Sequence, residues 1–354
     1  MKEHRLREIL DQFPQLRIAV AGDFFLDKYL LIDPELDEPS VETGLTAYQI
    51  TGKRRSPGAA GTVVNNLKAL GVGTIDAVGM SGIDGEGFEL REELTKLGVN
   101  QEHFYAVRER FTPTYTKPMV LSRSANVPDR ELNRFDIKNR KPLPPAIESQ
   151  IENALESLIG QVDAVMVMDQ VSQKNCGVIT DRVRAKIAQL GKKYPAKILY
   201  ADSRERIGQF ENVLIKCNHY EAVGSFYPEY NLEAISQQRQ PPDDLIEECG
   251  WKMVERTKRS VFVTLGAKGQ WVFDAKSPER TVAKIAAIPV KGPIDICGAG
   301  DATSSGLVAA LCCGASLAEA AWIGNLVASI TIQQLGTTGT ATPTQLLAAA
   351  PGTQ

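Results

Sequence analysis

The sequence lacks the features that mark several common classes of protein. Its 354 residues carry a formal net charge of -3, and no cluster of lysine and arginine is interleaved with aromatic residues. A nucleic-acid partner is therefore not expected. The six cysteines include no C-x-x-C pair and no histidine at metal-ligand spacing, which favours free thiols in a reducing compartment. The first ten residues are charged and lack the apolar core of a signal peptide, so a cytoplasmic protein is expected.

Long uninterrupted apolar runs are also missing. Residues 320–354 carry no Asp, Glu, Lys or Arg, but Gly, Gln, Thr and Pro interrupt them repeatedly. They predict buried helix and loop, with no membrane contact. No G-x-x-x-x-G-K-[ST] occurs, which excludes a P-loop, and no strand-to-helix G-x-G-x-x-G with a distal acid fits, which disfavours a dinucleotide-binding oxidoreductase.

What the sequence does contain is an alternation of apolar strands and helices. Strands are predicted at 17–22, 74–79, 163–168, 197–201, 213–216 and 261–264, and the intervening segments have helical periodicity, as at about 144–158, 174–190 and 243–257. Such alternation predicts a mostly parallel sheet covered by helices on both faces, a three-layer α/β fold.

Two segments interrupt this alternation with short alternating strands. They cover about 29–56 and 103–136, and they predict a small separate sheet that forms a lid over one edge of the main domain. The first segment contains the apolar run Leu30 to Ile32 and the alternating pair Tyr48 and Ile50. Because an exposed apolar patch is less stable than a paired one, a homodimer formed through the lid is expected.

The most informative stretch is Ile294-Asp295-Ile296-Cys297-Gly298-Ala299-Gly300-Asp301, a Gly-rich turn that opens onto a helix. Turn residues with small side chains let backbone N–H groups approach an anion, and the helix N-terminus adds its positive dipole end. Asp301 stands at the expected N-cap, beside the anion. A carboxylate next to an anion hole is what phosphoryl transfer to a hydroxyl requires, although a simple helix cap is the alternative interpretation of Asp301.

Five segments, taken in order, resemble the signatures of the ribokinase-like (PfkB) carbohydrate kinases, and the resemblance covers nearly the whole chain. They are 57–71, 78–84, 218–221, 264–269 and 295–301, the last being the most specific. Within the family the chain is most similar to kinases that phosphorylate heptose 7-phosphate at the anomeric carbon, on the evidence of 22–29, 114–117, 134–136 and 325–337. The resemblance implies one kinase domain, residues 1–354, with the ribokinase-like αβα fold.

The resemblance also implies a role for each matching residue. Asp301 would be the general base beside an anion hole formed by the N–H groups of Gly298, Ala299 and Gly300. Asn218, Thr264, Gly266 and Asn325 would lie along ATP, and Glu221 would organise Mg²⁺ through water. The sugar would be bound by Asp27, Gly58, Ala59, Thr62 and, on the lid, Asp136. A monovalent cation such as K⁺ would bind near Asp295.

Three departures from the family pattern fall where substrate identity is decided. Thr62 replaces the usual Asn. Ile296, followed by Cys297, replaces the Thr that often follows the first acid of the last signature. Residues 171–175 (VSQKN) replace the Tyr-x-Lys-Gly stretch of heptose kinases. The resemblance therefore predicts a sugar or sugar-phosphate kinase, with heptose 7-phosphate as one candidate substrate. The alternatives are a kinase for another small polyol or a nucleoside, and a catalytically silent nucleotide or sugar sensor on the same fold.

Overall fold

A computed structural model describes residues 1–122, 129–230 and 239–350. The strands are β1 (Arg17–Gly22), β2 (Phe24–Ile32), β3 (Glu38–Pro39), β4 (Thr46–Ala47), β5 (Ile50–Ala59), β6 (Thr74–Gly82), β7 (Asn100–Val107), β8 (Thr114–Val120), β9 (Arg130–Glu131), β10 (Phe135–Ile137), β11 (Ala164–Asp169), β12 (Ile198–Ser203), β13 (Leu214–Asn218), β14 (Val261–Thr264), β15 (Gln270–Phe273) and β16 (Val282–Ile285). The helices are α1 (Glu3–Leu10), α2 (Ala60–Ala69), α3 (Gly85–Lys96), α4 (Pro145–Leu158), α5 (Asp181–Lys193), α6 (His219–Gly224), α7 (Asp243–Thr257), α8 (Ala299–Cys312), α9 (Leu317–Thr331) and α10 (Pro343–Ala349).

The larger sheet has nine strands in the order β16-β15-β14-β13-β12-β11-β1-β6-β7. The strands from β14 to β7 pair in parallel, whereas β15 and β16 pair antiparallel at one edge. Every residue of β11 is buried, as expected for a strand covered on both faces. The predicted mostly parallel sheet is confirmed, and the carboxyl ends of its central strands lie along one rim of the sheet.

Two apolar cores cover the two faces of this sheet. One packs α1, α2, α3, α8, α9 and α10 against the strands, and the other packs α4, α5, α6 and α7 against the opposite face. The apolar residues of β1 alternate between them, with Ile18 and Val20 in the first core and Ala19 and Ala21 in the second. The three-layer architecture follows from this alternation. In the ranges the structure describes, no helix is both long enough and apolar enough to span a membrane.

The smaller sheet, which we call the lid after the prediction, has boundaries that differ from the predicted ones. It contains β2, β5, β8 and β10, with β9 paired to β8, so its first segment begins at Phe24 instead of residue 29. The stretch 45–50 mostly lies outside it, because β4 forms a separate short hairpin with β3. Residues 123–128 of the predicted lid lie outside the described residues.

The second predicted lid segment begins too early. Residues 100–107 form β7, which pairs in parallel with β6 at the edge of the main sheet. Helix α3 supplies the crossover that such parallel pairing requires, and it follows β6 directly in the chain. The alternating pattern of β7 suits an edge strand of either sheet, so the pattern alone could not assign it.

Candidate active site

The Gly-rich turn that is predicted to bind an anion, called the anion-binding turn below, opens helix α8, with one correction to the prediction. Gly298, not Asp301, is the N-cap of α8, and Asp301 is the third residue of the helix. Gly298 has φ +77°, and a Cβ there would lie 3.3 Å from Thr338 Cγ2, so a side chain would be strained and crowded. The carboxylate of Asp301 therefore belongs to the first helical turn, where the helix dipole stabilises a negative charge.

Backbone donors converge at the same turn. The N–H groups of Gly298, Gly300 and Asp301 have no hydrogen-bond acceptor among the residues that the structure describes. The N–H of Ala299 donates to the carbonyl of Ile296 at 3.1 Å, so Ala299 is not a free donor as predicted. The N–H of Asp301 supplies a third donor in its place. Free donors at the start of a helix are suited to an anion.

The environment of Asp301 suits a general base. Burial raises the pKa of Asp301 to about 7, and the negative charge of Asp202 adds to the rise, while Lys216 opposes it. A base works best when its pKa lies near the working pH, because it is then both deprotonated and able to accept a proton.

A buried polar network contacts the first turn of α8. The ammonium of Lys216 lies 2.6 Å from Asp202 Oδ2, and their side chains are 6% and 10% exposed. Lys216 Nζ also donates to the carbonyl of Gly300 at 3.3 Å. The hydroxyl of Ser304 donates to the same carbonyl at 2.8 Å and accepts from Tyr200 at 2.5 Å. The network ties β12 and β13 to the first turn of α8.

The residues predicted to meet the nucleotide lie on neighbouring strand ends. Asn218 and Thr264 are partners in the register of β13 and β14. The side chain of Asn218 accepts from the N–H of Glu221, and Glu221 Oε2 accepts from the N–H of Asn218 at 2.8 Å, which is a capping box. Burial, followed by the charge of Asp202, raises the pKa of Glu221. Gly266, with φ +56°, has open space where a side chain would project.

Asn325 has a structural role that the sequence did not indicate. Its amide nitrogen donates to the carbonyls of Ile285 and Ala286, at 3.3 and 2.9 Å, and its oxygen accepts from Gln270 Nε2 at 2.7 Å. These bonds attach the end of β16 to α9.

The predicted sugar-binding residues gather where the lid joins the main domain. A Cβ at Gly58 would lie 2.4 Å from Asp27 Oδ2, so only glycine lets the Asp27 carboxylate lie against β5. Asp27 is buried, and Lys117 Nζ lies 3.7 Å from it. Ala59, which precedes α2, has the positive φ of 55°, a strained conformation of the kind that often occurs near functional sites.

Thr62 connects this region to the anion-binding turn. It is buried in α2, and a Cβ at Gly298 would lie 3.4 Å from Thr62 Cγ2. The first turns of α2 and α8 therefore meet, and the space between the lid and Asp301 is bounded by both helix starts. This placement brings Asp27, Gly58 and Thr62 to the same side of the site.

Two further predicted residues, Asp136 and Asp295, also have partners in the fold. Asp136 on the lid accepts two hydrogen bonds from Arg134, at 2.6 and 2.9 Å, and lies 3.5 Å from Lys138 Nζ. Asp295 accepts from the N–H groups of Cys297 and Gly336, at 3.0 and 3.1 Å, and so joins the loops that precede α8 and follow α9.

Sequence reasoning missed Lys216 and Arg204. Lys216 is a charged residue inside the apolar strand Leu214–Asn218, and a lysine at such a position is a detectable signal of a buried partner. Arg204 directly follows β12 in the chain. Its positive charge lowers the pKa values of Asp301 and Glu221, against the rise that burial causes. No local pattern marks it.

Comparisons with known proteins agree with this geometry. The bifunctional protein HldE of Citrifermentans bemidjiense is 25% identical over 350 residues, which cover 98% of this chain and 66% of that protein. The chain thus spans about two thirds of the relative it matches. Two solved structures share the fold: phosphofructokinase-2 from Escherichia coli in complex with potassium (TM-score 0.65, 17% identity, 94% of this chain and 98% of that one) and Arabidopsis thaliana ribokinase complexed with ribose and ATP (0.61, 17%, 94% and 98%).

The family assignment rests on a match to the family as a whole. The sequence profile of the pfkB family carbohydrate kinases matches residues 26–345, which include the lid, the anion-binding turn and both helix starts described above. The chain therefore belongs to the pfkB family of carbohydrate kinases.

Proposed function

We propose that the chain transfers the γ-phosphoryl group of ATP to a hydroxyl of a sugar or sugar phosphate. The observation that carries the proposal is Asp301, a carboxylate with a pKa of about 7, placed in the same helical turn as three free N–H groups. The acceptor hydroxyl gives its proton to Asp301, and the N–H groups stabilise the charge of the transferred phosphoryl oxygens.

The residues present are suited to Mg²⁺ and ATP. Magnesium is usually held by one or two carboxylates together with substrate phosphates, and the Glu221 carboxylate lies at a strand end beside Asn218 and Thr264. Bound MgATP would supply the group to be transferred and would shield its charge. Glu221 would orient the magnesium through water, and the open turn at Gly266 leaves room for the nucleotide.

The acceptor would occupy the space between the lid and α2, against Asp27, Gly58, Ala59 and Thr62. Heptose 7-phosphate is the candidate favoured by the resemblance of 22–29, 114–117, 134–136 and 325–337 to heptose kinases. The test is an assay of ADP release across pentoses, hexoses, heptoses and their terminal phosphates, with the Asp301→Asn variant as control. ADP release that depends on an acceptor and is lost in the variant supports a kinase. Nucleotide binding without acceptor-dependent release would instead support a catalytically silent sensor.

Replacing Glu221 with Gln is expected to raise the Mg²⁺ concentration needed for half-maximal rate by about 10-fold, because outer-sphere carboxylates orient the ion. The measurement is the initial rate against Mg²⁺ at fixed ATP. Glu229→Gln, in the nearby turn at Pro228–Tyr230, is the control. An unchanged Mg²⁺ dependence would mean that Glu221 serves only the capping box.

We also propose a homodimer through the lid and the adjoining β3–β4 hairpin, which revises the predicted contact. Ile32 is buried within the lid at 1% exposure, whereas Leu45 and Tyr48 are 71% and 51% exposed. Light scattering should give twice 38.6 kDa, and a Leu45→Asp/Tyr48→Asp variant should return to the monomer mass. Phe88→Asp, which is exposed on α3, is the control. A monomeric wild-type protein at micromolar concentration would contradict the proposal.

The proposal also includes the cellular compartment and a monovalent cation. All six cysteines are free, which fits a reducing cytoplasm that also supplies ATP. A K⁺ ion between the loops joined by Asp295 is supported by the family resemblance and by the potassium in the phosphofructokinase-2 structure.

A further inference from the structure

Four residues at the rim of the larger sheet form one row across neighbouring strands, which we call the rim row. Asn218 pairs with Thr264 in the register of β13 and β14, and Thr264 pairs with Gln270 in that of β14 and β15. Gln270 in turn pairs with Ile285 on the edge strand β16. Neighbouring strands lie about 4.8 Å apart, so the rim row spans about 14 Å.

The rim row follows the expected direction of a bound nucleotide. Its β13 end lies near the anion-binding turn, since Lys216 of β13 donates to the carbonyl of Gly300 at 3.3 Å. A nucleotide whose phosphates begin at that turn and continue along Thr264 and Gly266 would place its base near β15 and β16. The far end of the rim row is therefore the region that decides how the base fits.

Two backbone segments meet at this far end. A Cβ at Gly269 would lie 2.1 Å from the carbonyl oxygen of Ile285 and 2.5 Å from the nitrogen of Ala287. Gly269 has φ +92°, and only glycine allows both this conformation and so close an approach. The turn 264–269 thus lies directly against residues 285–287, and a shift of residues 285–287 would also move the turn.

Residues 285–287 are held by a side chain at the point where the sheet ends. Strand β16 ends at Ile285, and the amide nitrogen of Asn325 donates to the carbonyls of Ile285 and Ala286, at 3.3 and 2.9 Å. These two bonds use both N–H groups of the amide. In this arrangement Asn325 shapes the nucleotide site through the backbone that it holds.

Gln270 fixes the orientation of Asn325. Its amide nitrogen donates to Asn325 Oδ1 at 2.7 Å and to the carbonyl of Ala321 at 3.0 Å. The oxygen and the nitrogen of an amide lie on opposite sides, so a donor bound to the oxygen of Asn325 directs its nitrogen towards residues 285 and 286. Gln270 is 1% exposed, and it therefore acts on the nucleotide site only through its neighbours.

The burial of Gln270 carries a cost in stability. Its Oε1 is buried and has no hydrogen-bond donor among the residues that the structure describes. A buried acceptor without a donor lowers stability, and an apolar side chain of similar size avoids that loss. The other three residues of β15, at 271–273, are buried and apolar. A glutamine at this position thus indicates a role other than packing.

We propose that Gln270 is a positioning residue for the base of the nucleotide. Through Asn325 it holds residues 285–287 against the turn 264–269, and so it sets the shape of the space in which the base binds. The inference rests on the proposed kinase function. It adds a determinant of nucleotide affinity that contacts neither the phosphates nor the acceptor.

The test combines calorimetric titration of a non-hydrolysable ATP analogue with Mg²⁺ and steady-state kinetics. Gln270→Leu should raise the Kd for the analogue and the KM for ATP roughly 3- to 10-fold, the range for losing a hydrogen bond between neutral groups. The kcat and the KM for the acceptor should stay within about twofold, because only nucleotide binding is weakened. The control is Gln12→Leu, which removes an exposed amide bonded to the carbonyl of Glu8.

Thermal unfolding separates positioning from a general loss of structure. The melting temperature of Gln270→Leu should change by less than about 4 °C, because removal of the unpaired acceptor offsets the lost hydrogen bonds. A much larger fall, or a rise in the acceptor KM equal to the rise in the KM for ATP, would overturn the proposal. Either result would mean that Gln270 supports the whole fold.

A double variant tests the route through Asn325. If Gln270 acts by holding Asn325, then Gln270→Leu/Asn325→Leu should raise the Kd no further than Asn325→Leu alone. Effects that multiply in the double variant would show that the two residues act independently, against the proposal.

The outcomes also separate this inference from the kinase function. If the wild-type protein released no ADP with any acceptor, the kinase function would fail, yet analogue binding weakened in Gln270→Leu would still support the positioning role. An active kinase whose Kd for the analogue is unchanged in Gln270→Leu would leave the kinase function intact and overturn the inference.

Discussion

Replacing Asp301 with Asn is expected to lower kcat by about 10²- to 10⁴-fold, the contribution usual for a general base. Asn keeps the shape of the side chain but cannot accept the proton of the attacking hydroxyl. The affinity for ATP should change little, because the N–H groups of Gly298, Gly300 and residue 301 remain in place. Steady-state kinetics with varied ATP separates the two effects, and a near-normal kcat would remove Asp301 from the role of base.

Asp301 is also expected to make the activity of the enzyme fall at low pH. Burial raises the pKa of Asp301 to about 7, so the carboxylate is increasingly protonated, and inactive as a base, as the pH falls below that value. The kcat/KM of the wild-type enzyme should fall about tenfold per pH unit below pH 7. The residual activity of Asp301→Asn should lack this acid limb. Asp244→Asn, at an exposed position on α7, should retain it.

Replacing Lys216 with Met is expected to lower the free energy of unfolding by about 3–5 kcal/mol, because it leaves a buried carboxylate without its partner. Burial alone would lower the pKa of Lys216, but Asp202 raises it above the ordinary value, so the ammonium stays charged. The variant loses the contact of 2.6 Å with Asp202 and the bond to the Gly300 carbonyl. Urea unfolding followed by circular dichroism measures the change.

Two further variants distinguish the effect of breaking the buried Lys216–Asp202 pair from the effect of removing any lysine charge. Lys268→Met removes a lysine whose pair with Asp243 is 65% and 56% exposed, and it should cost less than about 1 kcal/mol. The double variant Lys216→Met/Asp202→Leu removes both buried charges and should recover part of the loss, because the unpaired carboxylate is gone. A single variant as stable as the wild-type protein would show that the pair does not hold the first turn of α8.

Much of the fold could be predicted from local patterns. The strand Arg17–Gly22 and the helix Asp243–Thr257 have the predicted bounds, because continuous apolar runs and helical periodicity depend on nearby residues alone. The prediction that placed β7 in the lid was wrong. The alternating pattern of β7 suits an edge strand of either sheet, and β7 pairs with β6 because α3 connects these two strands. The predicted start of α5 at about residue 174 was also wrong, and the helix begins at Asp181. The reason is that Asp23, which is distant in the chain, binds the loop before this helix.

The sequence by itself determined that a glycine turn opens a helix with an acid in its first turn. That feature depends on the backbone freedom of Gly298 and on residues adjacent to it. Only the tertiary structure decided that Asp202, Lys216 and Arg204 surround this acid, because they follow or lie on β12 and β13, which are separate in the chain and become neighbours through parallel pairing. The pKa of a carboxylate depends on its burial and on the charges near it in space, and both are properties of the folded chain.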